Sequence, residues 1–188
     1  MWAAAALFTV PLVTMFLLLQ WYPELIHGLM DPMQVGEIER MYDPANERHK
    51  LGRDSGSDWQ MFGHYIMNNI SIGLRTFASG LLFGIGTILV LIFNGLHIGA
   101  TFGHLQQIGS GDPMWRFVAG HAPFELTAIV IAGGAGLRLG LNLVAPGRRR
   151  RSDALVVAGI KGAKLCLGIA FMLLVAAFIE AFWSSTQS

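Results

Sequence analysis

Long apolar runs alternate with short polar stretches along almost the whole chain. The first run, WAAAALFTVPLVTMFLLLQWY (2–22), has about the 20 residues a helix needs to span a bilayer. Trp2, Trp21 and Tyr22 lie at its ends, where interfacial aromatics belong. Pro11 in its middle predicts a kink. The run lacks the basic flank and small-residue cleavage site of a signal peptide, so it reads as a retained helix. Residues 23–62 then form the one substantial polar region. Inside it DPMQVGEIERMY reads as a short helix, with Asp31 as N-cap and Pro32 in the first helical position. DPANERHKLGRDSGSD reads as an exposed loop ending at Asp58, a cap for the next helix. Forty residues are too few for a separate core, so this segment is expected to lie on the membrane domain.

The next apolar stretch, 59–107, is too long for one helix at ~1.5 Å per residue in a core of ~30 Å. It must be a hairpin or broken helices, with breaks at Gly84-Ile85-Gly86 and at Asn94-Gly95. The piece after the second break then reads as short or re-entrant. Residues 109–113 are turn-rich, and 117–144 and 154–183 are the last two spans. The pattern predicts an all-α polytopic transmembrane bundle, one membrane domain over 1–188 with about five crossings.

Composition agrees. Only 13% of residues are charged, against roughly a quarter in soluble domains, and mean hydropathy is +0.51. Glycine, 23 of 188 residues, exceeds the average share of roughly 7% and suits close helix packing in lipid. A formal net charge of +1 and the lack of a basic patch with interleaved aromatics point away from nucleic acid. Cys166 is the single cysteine, which excludes an intrachain disulfide and a cysteine-based zinc site.

Charge sets the expected orientation. Four arginines, 148–151, followed by Lys161 and Lys164, mark the loop between the last two spans as cytoplasmic. Residues 23–62, with eight acids against four Lys/Arg, then fall outside, as does the C-terminus.

Three sets of residues are candidates for function or close packing. Asn94, His97, Thr101 and His104 make one narrow helical stripe, either hydrogen-bonded to neighbouring helices or lining a polar cavity or proton path. Gly95, Gly99 and Gly103 lie on roughly the opposite face and expect another helix close against them. Gly80 and Gly84, and Ala132, Gly136 and Gly140, repeat that spacing and read as packing surfaces, with a homo-oligomer as one use. The third set gathers on the outer side. His121 and Glu125, four apart, share a helix face. Topology brings Glu180 to comparable depth, and Arg75, near Asn68 and Asn69, is expected to neutralise one or both glutamates. His64, His121 and Glu125 are candidate metal ligands; no other cofactor is expected. No Gly-x-Ser-x-Gly elbow or Ser/His/Asp arrangement is present.

NNISIGLRTFASGLLFG, LIFNGLHIGA, GHAPFELTAIVIAGGAGLRLG and AAFIEAF, in that order, resemble the stage II sporulation protein M family of bacterial membrane proteins. The resemblance covers roughly residues 59–185. It implies a multi-pass protein of the cytoplasmic membrane that acts as a non-enzymatic scaffold for envelope partners, cell-wall hydrolases among them. Two other functions remain open on the residues alone: a transporter or channel component using the Asn94–His104 stripe, and an intramembrane metal-dependent enzyme.

Overall fold

The computed structural model describes residues 1–43 and 57–186, which are helical with no strand among them. The elements are α1 (Trp2–Leu19), a 3-10 turn (Pro23–Gly28), α2 (Pro32–Met41), α3 (Asp58–Ala78), a second 3-10 turn (Ser79–Leu81), α4 (Ile85–Gln107), α5 (Gly111–Val118), α6 (Ala122–Val144), α7 (Arg151–Phe182) and a last 3-10 turn (Ser184–Thr186). Helices α1, α4, α6 and α7 are long and apolar enough to cross a membrane. Large apolar side chains such as Leu141, Leu167 and Phe171 face outward from them, as a lipid-facing surface requires. Helix α3 has 21 residues but carries His64, Asn68, Asn69 and Arg75, which lower its hydropathy.

Register shows how the chain runs. Gly95 meets Phe8, Gly99 meets Leu12 and Gly103 meets Phe16, so α1 and α4 run parallel. Tyr65 clusters with Ala177 and Ala181, while Gly73 meets Ile169 and Leu173, so α3 and α7 run antiparallel. Because α1 and α4 point the same way, α3 must carry the chain from one end of the bundle back to the other. A comparatively polar helix therefore runs the full height of the bundle. Among its polar residues Asn69 is half-buried and Thr76 buried, whereas His64, Asn68 and Arg75 are exposed, and the site grows from Asn69.

The expected break at Gly84 is present. Gly84 adopts φ +85° and Phe83 φ +53°, left-handed values that turn the chain sharply between α3 and α4. Carbonyl groups freed at the end of α3 find hydroxyls: Thr87 Oγ1 and Ser79 Oγ donate to the Thr76 carbonyl at 2.9 and 3.0 Å. The expected break at Asn94-Gly95 does not occur, and α4 passes through it unbroken. Asn94 returns its amide to the Val90 carbonyl at 2.7 Å, and Gly95 is small because the Phe8 carbonyl presses on it. The short helix is instead α5, which begins inside the expected turn at 109–113 and takes the first two residues of the expected 117–144 span, so that α6 begins at Ala122.

Asp31 caps α2 as expected, in a capping box with Gln34. For α3 the cap is Ser57, boxed with Gln60, so Asp58 is the first helical residue rather than the cap. Apart from its ends, the loop expected over 43–58 lies outside the described residues. The 3-10 turn and α2 do lie on the bundle: Ile26, Met30 and Val35 pack with Met15 and Leu19 of α1 and Ala100 of α4. Most of the glycine surfaces meet inside the chain. A Cβ on Gly80 would stand 2.2 Å from the Gly136 carbonyl oxygen, and one on Gly140 would stand 2.2 Å from the Gly84 nitrogen. With α1 on Gly95, Gly99 and Gly103, these glycines are in close contact within one chain.

Candidate functional site

The site lies at the end of the bundle away from the arginine-rich turn between α6 and α7. His121 precedes α6, Pro123 sits in its first turn where a missing N–H is harmless, and Glu125 follows near the helix N-terminus, which favours negative charge. Glu125 points inward, where the Asn69 amide donates to its Oε1. Asn69 is itself oriented by Asn68, whose Nδ2 donates to Asn69 Oδ1 at 3.1 Å. Glu180, near the end of α7, is only 9% exposed, and His121 is 3% exposed. His121 Nε2 stands 3.9 Å from Glu180 Oε1. On its other side, the His121 ring hydrogen-bonds through Nδ1 with Ser184 Oγ at 3.0 Å. One potential ligand atom from each of His121, Glu125 and Glu180 lies within 4.8 Å of the other two.

Of these residues Asn68, Asn69, Glu125 and Glu180 border a cavity of about 390 Å³ between α3, α4, α6 and α7. Asn69, Asn94, His97, Thr101, Glu125 and Glu180 all line it. The stripe and the outer cluster, separate features of the sequence, are therefore walls of one space. Thr101, Glu125 and Glu180 also line a neighbouring cavity of about 160 Å³ that includes His121 and Tyr42. Burial pushes the Tyr42 phenol up from its ordinary range, with Glu180 adding to the shift, so it stands as a neutral hydroxyl at this wall. On the opposite side, Asn68, Asn94 and His97 are shared with a wider cavity of about 510 Å³. His97 Nδ1 is buried there without a hydrogen-bond partner.

Arg75 is where the expectation fails. It lines the wider cavity, whereas the partners found for the two glutamates are Asn69 for Glu125 and His121 for Glu180. Glu125 meets α3 at Asn69, six residues or about 9 Å along the helix from Arg75. The expected similarity of depth does not hold, because that axial rise of about 9 Å puts Arg75 at a different level from Glu125. His64 likewise does not join His121; it is exposed and packs edge-on against Tyr65, and Glu180 completes the group instead.

His104 departs from its stripe. Its Nε2 lies 2.7 Å from Glu39 Oε1 and so ties α4 to α2. No sequence spacing points to that pair, whose members stand 65 residues apart. Ser184, also missed, lies in the 3-10 turn just past the end of α7, where no helical spacing signals it. Removing the carboxylate in Glu39→Ala is expected to weaken the docking of α2 by about 0.5–1.5 kcal/mol. Amide hydrogen exchange should accelerate across residues 32–41 and stay unchanged in α6 and α7. Unaltered exchange in α2 would show that the apolar contacts alone hold it.

Long apolar helices closed around a buried polar centre define a polytopic helical membrane protein. Residues 4–185 match the family model described as stage II sporulation protein M. The chain belongs to that family. It is also 27% identical over 125 residues to an uncharacterised protein of Methanocaldococcus jannaschii, covering 64% of this chain and 69% of that one. No solved structure matches the chain.

Proposed function

We propose that this chain is a binding or transport component that receives a small hydrophilic solute, of cationic character, inside the membrane. The observation that carries this reading is the convergence of Asn69, Asn94, His97, Thr101, Glu125 and Glu180 on one cavity. Buried polar groups are expensive in a bundle that lipid surrounds, and two carboxylates that only tied helices together would be expected to carry a basic partner. With the four-arginine loop cytoplasmic, the cavity lies toward the outer side of the cytoplasmic membrane.

The test is hydration of the cavity. With Cys166 replaced, Asn94→Cys and Thr101→Cys should react with a membrane-impermeant thiol reagent, whereas lipid-facing Leu167→Cys and Phe171→Cys should not. A cavity as unreactive as the lipid face would sink the reading.

A scaffold for envelope partners such as cell-wall hydrolases is the second reading. What favours it is the folded layer over the site end of the bundle. There α2 and α5 pack through Ile38, Met114 and Phe117, giving a surface outside the spanning helices that a partner could meet. Loss of co-purifying envelope proteins on disrupting that layer, with the cavity variants neutral, would favour it.

A further inference from the structure

Charge balance at the end of the cavity poses a problem. Glu125 and Glu180 bring two carboxyl groups close together in a buried place, and neither lysine nor arginine lines the two cavities they border. An uncompensated carboxylate pair in a low-dielectric bundle is strongly unfavourable, so the pair must take up protons or a cation. The surrounding hydrogen bonds favour a cation. Ser184 holds Nδ1 of His121, which turns the other ring nitrogen, Nε2, toward Glu180. Metal-bound imidazoles are characteristically secured in this way through the nitrogen that does not ligate. Asn69 holds one oxygen of Glu125, and Asn68 holds Asn69, a matching outer support for a carboxylate ligand. One oxygen of Glu180, Oε2, is buried without a hydrogen-bond partner, in a residue that is 9% exposed.

We infer that His121, Glu125 and Glu180 form a binding site for a divalent first-row transition cation. The inference rests on the solute reading above and names the class of solute. Metal–ligand bonds of about 2.0–2.2 Å place ligand atoms roughly 3.3–3.6 Å apart, so the present spacings of 3.9 Å and under 4.8 Å need a contraction of roughly an ångström. One imidazole with two carboxylates suits zinc, manganese or ferrous iron better than magnesium or calcium, which prefer all-oxygen surroundings. Two carboxylates also balance the charge of a divalent ion. Three protein ligands leave a further position open toward the cavity, the arrangement of sites whose metal meets exchangeable ligands rather than of closed structural sites.

The experiment uses the untagged full chain in detergent, stripped with a chelator and dialysed against zinc chloride, with metal measured by mass spectrometry. Stoichiometric zinc is expected. Glu125→Gln and Glu180→Gln, which keep shape and remove charge, should weaken binding by more than about 100-fold, and Ser184→Ala by about 10–100-fold. His64→Ala and His104→Ala should bind as the unaltered protein does. Cobalt in place of zinc should give visible absorption bands that Glu180→Gln abolishes. A folded protein that takes up no stoichiometric zinc, its carboxyls merely sharing a proton, overturns the inference; so does Glu180→Gln binding zinc normally. If zinc fails to bind while Asn94→Cys is labelled, the cation assignment falls and the solute reading stands. Zinc bound in a cavity that resists labelling has the opposite meaning: the metal site stands and the solute reading falls.

Discussion

Gly140→Ala is expected to destabilise the bundle by about 1–3 kcal/mol, the range for forcing extra volume into a well-packed interior. The new Cβ would stand 2.2 Å from the Gly84 nitrogen and 2.4 Å from its Cα. These are backbone atoms of a turn already held at positive φ, so no rotamer change relieves the clash. Gly80→Ala should behave alike, because it drives a methyl into the Gly136 carbonyl. Gly159 and Gly168 of α7 supply the contrast, since a methyl group added at either would meet nothing within 4 Å. Alanine at those positions should leave stability unchanged or raise it by up to about 1 kcal/mol through helix propensity. Unfolding in mixed detergent micelles reads both series. If Gly140→Ala matched the unaltered protein, the turn could not be seated on α6 as described.

The second large effect has the opposite sign. In the presence of a chelator, Glu180→Met should raise stability by about 1–2 kcal/mol. The substitution roughly conserves volume and removes a buried carboxyl one of whose oxygens lacks any hydrogen-bond partner. Sites kept for function commonly reduce stability in this way, whereas a carboxylate kept as a helix tie would be missed. Zinc should reverse the order. A ligand that binds only the folded state adds about 2.7 kcal/mol at 100 times its dissociation constant, and only the unaltered protein should gain it. Thermal unfolding in detergent, with chelator and then with zinc, measures both halves. Should Glu180→Met be as unstable as Gly140→Ala, Glu180 serves the fold and the functional reading of the site is lost.

Much of the architecture was legible because membrane helices announce themselves through length and hydropathy, which are local properties. The 2–22 run became α1, and the runs expected over 117–144 and 154–183 became α6 and α7 with ends shifted by a few residues. Asp31 was readable as a cap because a capping box spans three residues. Ser57 was missed by one position, since Ser57 and Asp58 are both acceptable caps and only backbone conformation chooses between them. Asn94-Gly95 misled because the same dipeptide marks a turn in water and a packing notch inside a bundle. The side-chain amide that returns to Val90 is what keeps the helix whole there.

The site divides along the same line. Sequence alone placed His121 and Glu125 on one helix face and Glu180 near the same end of the bundle, because helical period and alternation of direction settle face and depth. It could not tell that Arg75 turns to another cavity, that Asn69 receives Glu125, or that His104 leaves its stripe for Glu39. Those outcomes depend on how each helix is rotated about its axis and slid along it. Helices that are apolar on nearly every side carry little periodic signal of that rotation. In this protein it is set by close backbone contacts, Gly136 and Gly140 on the Gly80–Gly84 turn and α1 on Gly95, Gly99 and Gly103, and these exist only once the helices have met.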